Sequence, residues 1–274
     1  MTTEEQLIES LTGEFREHFA SWTDKALQKL GRDRYAVMCG DLKAILAKAM
    51  ARDYVDAAVS QVQANYLAEN RFVHNLTAMA NDCVDREAYI VAECARRRVL
   101  HFGFADAPLK ANLHAKVKAV AAFAYGVDID EKAVEQYQRD TADVNCRSGD
   151  VEGCGVIAVE PATPFDIILL PEVLEHVQCP GKALATVTEN CRAYGCEAII
   201  SVPNAFFFGN LFAAIGGKEV VHPDHRCWFS PQTLTKCIMD SGMAVKRMMF
   251  YSPADMLATP GLTKSGIIAR VGAK

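Results

Sequence analysis

The chain has no long apolar run: nothing approaches the roughly 18–20 residues that cross a bilayer, and the polar start MTTEEQ lacks the apolar core of a signal peptide. A cytoplasmic protein without a membrane partner is therefore expected. None of the 10 cysteines forms a Cys-x-x-Cys pair; Cys191 and Cys196 come nearest, too isolated to suggest zinc. They read as reduced, mostly buried small hydrophobes. A basic stripe is also lacking. Residues 1–95 hold 10 Lys/Arg against 15 Asp/Glu, and the remainder holds 19 of each, so the net charge of -5 sits wholly in the first part. Nucleic acid is not the expected partner. The short run Arg96-Arg97-Arg98 reads as a solvated strand entry.

Proline is absent from Glu4 to Glu93, and apolar residues recur there at helical steps, as in Leu7, Leu11, Phe15, Phe19 and Trp22. Three or four helices are expected, with breaks near Gly31–Arg34, Arg52–Asp53 and Glu69–Asn70. The stripes at Ala44–Met50 and Val55–Tyr66 need a surface to cover, either the domain that follows or a second subunit. After Arg97 short β-rich runs alternate with helical stretches. Strands are predicted at Val99–Phe102, Ala124–Ile129, Asp166–Leu170, Ala198–Val202, Ala244–Tyr251 and Gly266–Val271, with a weaker one around Val144–Arg147. Helices are predicted at Glu131–Arg139, Gly181–Ala193 and Pro231–Ser241, the last opened by a Ser-Pro pair suited to N-cap and N1. This is the pattern of an α/β fold: a Rossmann-like, seven-stranded, mostly parallel sheet with helices on both faces, preceded by an N-terminal helical region. The division expected is 1–95, a substrate cover or oligomerisation region giving a homo-oligomer, and 96–274, the α/β domain.

In such a sheet the ligand lies beyond the carboxyl ends of the strands. After the first strand comes His101-Phe102-Gly103-Phe104-Ala105-Asp106-Ala107, and after the second Gly126-Val127-Asp128-Ile129-Asp130. Asp128, about 25 positions after the first turn, is placed to accept from ribose hydroxyls. Asp130 is read as the N-cap of the next helix.

These segments resemble the class I S-adenosylmethionine (SAM)-dependent methyltransferases. Of the three glycines in that family's first motif only Gly103 is present; Ala105 and Ala107 replace the others, and His101 replaces the acid. Further resemblances follow in order: Gly149-Asp150-Val151, the run Phe165 to Val177, Ser201-Val202-Pro203-Asn204, and His222-Pro223-Asp224-His225-Arg226-Cys227-Trp228-Phe229-Ser230 before a helix closed by Gly242. They cover roughly residues 97–252. The resemblance implies SAM as cofactor, with His101, Gly103, Phe104, Ala105, Asp128, Ile129, Asp150, Val151 and Pro171 around it. An extended loop at Leu113-His114 is similar to a subgroup acting on glycans and natural products.

Glu172, Glu175 and His176 share one face if their turn is helical. Two carboxylates and an imidazole there suit either a hard cation such as Mg2+ or a base beside a substrate hydroxyl, and a purely structural role for His176 stays open. The Glu-x-x-Glu-His order resembles metal-dependent O-methyltransferases, which implies a further ligand from downstream, Asn204 or His225. His225, beside Asp224, is the expected general base, with Asp224 orienting it; the competing reading makes His222 and His225 loop anchors. The apolar run Ala205–Phe212 is either a lid or a buried helix. The expectation is O-methylation of a small molecule or glycan. The alternatives are a catalytically silent SAM-binding assembly subunit and an RNA 2'-hydroxyl methyltransferase.

Overall fold

The computed structural model describes residues 82–105, 112–159, 163–215, 217–252 and 264–274. The helices and stripes expected before residue 82, and with them the oligomerisation surface, fall outside the described residues, as do Asp106 and Ala107. Among the described residues no helix is long and apolar enough to cross a membrane. The nine described cysteines are all free thiols; Cys94, Cys146, Cys191 and Cys196 are buried, while Cys83 and Cys179 are exposed.

The chain runs α1 (Arg86–Cys94), β1 (Arg98–Phe102), α2 (Leu113–Val120), β2 (Phe123–Asp128), α3 (Glu131–Thr141), β3 (Cys146–Ser148), β4 (Ile167–Pro171), α4 (Pro180–Tyr194), β5 (Glu197–Pro203), α5 (Phe208–Ile215), α6 (Pro231–Asp240), β6 (Met243–Tyr251) and β7 (Gly266–Ala273). The strands form one seven-stranded sheet in the order β3-β2-β1-β4-β5-β7-β6. β1 to β5 pair in parallel, whereas β7 runs antiparallel to both β5 and β6. The order reverses between β1 and β4, which opens a crevice at their carboxyl ends.

β4 reads Ile-Ile-Leu-Leu-Pro and is buried throughout, because helices cover both faces of the sheet and no position can be polar. On one face Leu184 and Val187 of α4 and Leu234 and Ile238 of α6 pack on Leu100, Ile168, Leu170, Ala198 and Ile200. On the other, Ile90 and Cys94 of α1 and Val117 of α2 cover Val99, Ile167, Leu169, Ile199 and Ile268. α3 closes a smaller cluster of Phe104, Val134, Tyr137 and Cys146. Burial of these apolar faces is the main stabilising term of the fold.

Local signals set several boundaries. Ser230 and Thr233 form a capping box at α6 with Pro231 at its first turn. Asp130 Oδ1 accepts from the backbone N–H of Lys132 and Ala133, each at 3.0 Å, and so starts α3. The extended loop expected at Leu113-His114 is instead helix α2. Asn112 caps it, its Oδ1 accepting from Ala115 N–H at 3.2 Å, and Leu113, Val117 and Val120 recur along it at the i, i+4, i+7 spacing of an inward face.

Candidate active site

A cleft of about 370 Å³ opens at the carboxyl ends of β1 and β2, where Gly103, Asp128, Ile129, Asp150, Val151 and His176 are among its walls. Its floor begins at Gly103. This residue has φ of +71°, and a Cβ there would stand 2.3 Å from Val173 Cγ2, so only glycine fits both the backbone and the space. The chain then turns so that Ala105 N–H donates to Asp128 Oδ2 at 2.8 Å, while Oδ1 accepts from Asp130 N–H at 3.0 Å. Asp128 is thereby held at the end of β2 with its carboxylate at the cleft, where a ribose diol needs acceptors.

Farther along, Asp150 Oδ1 accepts from Glu152 N–H at 2.8 Å. Ile129, the residue just after β2, is 71% exposed and leaves an apolar surface in the cleft wall suited to a flat base. Glu152, which the sequence did not single out, accepts from the N–H of Gln178 at 2.9 Å and of Cys179 at 2.6 Å. It ties the β3 connection to the start of α4, whose N-cap residue Cys179 makes no side-chain cap of its own.

Gly103, Asp128, Ile129, Asp150 and Val151 thus meet at the cleft, and Ala105 joins them through its backbone. His101, Phe104 and Pro171 are not brought to it. His101 is buried with its Nδ1 3.1 Å from Nδ1 of His114 on α2. Burial holds its pKa well below the ordinary histidine value, with His114 and Arg86 adding to the shift; burial also takes His114 down to about 3. Both rings are neutral near pH 7. Phe104 lies over Gly126, where a Cβ would meet its ring at 2.6 Å, and edge-on to Tyr137. Pro171 ends the buried strand β4.

The segment after β4 is not the helical turn that would put Glu172, Glu175 and His176 on one face. Glu172 takes φ of +53°, which directs its carboxylate toward Ser201 Oγ at 2.9 Å, the Tyr251 hydroxyl and Arg86 at 3.6 Å. Glu175 is buried, with Oε1 3.9 Å from His176 Nε2. Asn204 is spent on the turn after β5: its Nδ2 donates to Lys264 O at 2.8 Å and its Oδ1 accepts from Phe206 N–H at 3.0 Å.

What the fold does bring together is His176, His222 and His225, whose ligating atoms all lie within 4.8 Å of one another. Arg226 N–H donates to Glu175 O at 2.7 Å and binds the two segments side by side. Burial lowers the pKa of His225, and His176 and His222 lower it further. Asp224 does not orient His225. Its backbone N–H and its carboxylate both face Nδ1 of His222, at 3.3 and 3.9 Å.

A seven-stranded sheet with an antiparallel β7 inserted between β5 and β6, a glycine turn after β1 and a carboxylate at the end of β2 defines a Rossmann-like nucleotide-binding domain of the SAM-dependent methyltransferase class. The chain belongs to the methyltransferase domain family, whose model matches residues 66–246. It is 25% identical over 210 residues to a ubiquinone biosynthesis O-methyltransferase of Aromatoleum aromaticum, covering 71% of this chain and 83% of that protein. Among solved structures it is similar to a TehB-like SAM-dependent methyltransferase of Corynebacterium glutamicum (TM-score 0.47, 14% identity, covering 81% of this chain and 100% of that one). It is also similar to the magnesium protoporphyrin IX methyltransferase of Synechocystis PCC 6803 (TM-score 0.47, 16% identity, 83% and 100% covered). The protein is a SAM-dependent methyltransferase. Asp128, Ile129 and Asp150 line the cleft, where Asp128 could accept from a ribose and the exposed Ile129 could cover a base.

Proposed function

We propose that the protein methylates a hydroxyl oxygen of a small molecule or glycan. The observation that carries this reading is the placement of His176 on the cleft wall with His225 at 4.7 Å between ring centroids. SAM supplies an activated methyl group whose sulfonium is already a good leaving group. Little else is needed than an aligned nucleophile. An amine attacks unaided, but an alcohol must lose its proton as it attacks, and the imidazoles of His176 and the adjoining His225 are the groups placed to take it. The oxygen–carbon bond forms as the carbon–sulfur bond breaks, the electron pair stays on sulfur, and the hydroxyl proton passes to imidazole. The relative from Aromatoleum, an O-methyltransferase by name, supports the same choice of atom.

A divalent cation at Glu172, Glu175, His176 and Asn204 would require Glu172 to leave Ser201, Tyr251 and Arg86, and Asn204 to leave Lys264 and Phe206. The test is methyl transfer from radiolabelled SAM to a panel of phenols, sugars and amines, beside calorimetry with SAM and S-adenosylhomocysteine. Label on hydroxyl acceptors that disappears in His225→Ala, with nucleotide affinity retained, is the expected result. Label confined to amines refutes O-methylation. Folded protein that binds neither nucleotide refutes the enzyme reading.

A further inference from the structure

We propose that His176, His222 and His225 form a three-imidazole site for a borderline transition-metal ion of the Zn2+ type, open toward the methyl-transfer cleft. This deepens the hydroxyl-methylating reading and rests on it for the ion's catalytic use, although not for its binding.

The donors are all nitrogen, which suits zinc, cobalt or nickel rather than the hard ions that prefer oxygen. Zinc–imidazole bonds of about 2.0–2.1 Å place tetrahedral ligands about 3.3 Å apart. The three residues offer atoms within 4.8 Å of one another, so side-chain rotation closes the gap. Backbone hydrogen bonds already set the spacing. His176 N–H donates to Val173 O at 3.0 Å, His225 N–H to His222 O at 3.0 Å, and Arg226 N–H to Glu175 O at 2.7 Å. The rings of His176 and His225 meet at 82° and those of His176 and His222 at 80°, edge-on rather than stacked.

Two further observations point to a cation. Among the described residues, the buried His225 Nδ1 has no hydrogen-bond partner, a cost that a ligated ion removes. Carboxylates also stand behind two of the rings: Glu175, 1% exposed, lies 3.9 Å from His176 Nε2, and Asp224 lies 3.9 Å from His222 Nδ1. Carboxylates in this position orient ligating histidines and balance the charge of the ion.

Three protein ligands leave a fourth position open, the pattern of a catalytic rather than a structural site. A hydroxyl bound there becomes acidic. The ion would thus replace proton uptake by imidazole: the proton leaves to solvent past the exposed His222, and the alkoxide takes the methyl group.

The experiment is a Co2+ titration of the metal-free full chain read by visible absorption, with Zn2+ and Mg2+ calorimetry alongside. The expected result is one tetrahedral cobalt spectrum displaced by one equivalent of Zn2+ and unaffected by Mg2+. His222→Ala and His225→Ala should each weaken Zn2+ binding by roughly 100-fold or more, while Glu172→Gln stays within about threefold. S-adenosylhomocysteine affinity in His222→Ala reports folding and the nucleotide site separately, so loss of metal and loss of the methyltransferase reading are told apart. Three results overturn the proposal: no cobalt spectrum, intense thiolate charge-transfer bands showing cysteine ligation, or Mg2+ binding that Glu172→Gln abolishes.

Discussion

Ala105 donates its backbone N–H to Asp128 Oδ2 at 2.8 Å, so the turn after β1 is fastened to the end of β2 by the carboxylate that faces the cleft. One side chain therefore shapes the glycine-poor loop and, on the proposed reading, also offers the ribose an acceptor. Asp128→Ala removes both functions. Charge-assisted hydrogen bonds contribute about 1.5–3 kcal/mol, which corresponds to a loss of S-adenosylhomocysteine affinity of roughly 10- to 100-fold. Calorimetry reads it directly. Unchanged affinity would mean that the nucleotide does not use this strand end.

Gly103→Ala combines two penalties that can be separated. The left-handed backbone at φ +71° costs an alanine about 1–2 kcal/mol, and the contact at 2.3 Å from Val173 Cγ2 forces an overpacking shift of about 1–3 kcal/mol more. Urea unfolding should show the sum in the single variant. Adding Val173→Ala should recover the steric part alone. Full recovery in the double variant would remove the backbone argument.

The sheet was legible because its strands are short apolar runs in a fixed alternation with helices; Ile167–Pro171 is apolar at every position since both faces are covered. The site was less so. A spacing of i, i+3, i+4 gives a common face only on a helix, and Glu172 at φ +53° breaks that premise. The meeting of His176 with His222 and His225 depends on a backbone bond between Arg226 and Glu175, residues far apart in the chain, which no local pattern encodes. Glu152, which holds the start of α4 from the connection after β3, was hidden for the same reason. α2, by contrast, had a readable signal in Asn112 followed by Leu113, Val117 and Val120.

The buried pair His101–His114 makes stability depend on acid. In the folded protein His114 titrates only at about 3 and His101 well below its ordinary value, whereas unfolded histidines bind protons near pH 6.5. Between these limits the unfolded chain holds more protons, so stability rises with pH and is lost as pH falls below about 6.5. The slope approaches about 1.4 kcal/mol per pH unit for each histidine. Urea midpoints at pH 7, 6 and 5 should fall accordingly in the parent chain, and the His101→Leu/His114→Leu double variant should flatten the decline. An equally steep decline in that variant assigns the acid sensitivity elsewhere.

Tyr251 and Gly266 face each other across β6 and β7, and a Cβ at Gly266 would lie 2.0 Å from the Tyr251 ring. The absent side chain is what lets the phenol lie flat on the neighbouring strand and donate to Glu172, a close approach of the kind that glycine in a strand permits. Two variants divide ring from hydroxyl. Tyr251→Phe keeps the ring and loses one hydrogen bond to a carboxylate, about 1.5–3 kcal/mol. Gly266→Ala displaces the ring, loses that bond as well, and strains the antiparallel edge, about 2.5–6 kcal/mol in all. At roughly 2–4 °C per kcal/mol, thermal unfolding resolves the two. If Gly266→Ala is no worse than Tyr251→Phe, the edge yields without cost. Glu172 would then owe its orientation to Ser201 and Arg86 rather than to the packing of Tyr251 on glycine.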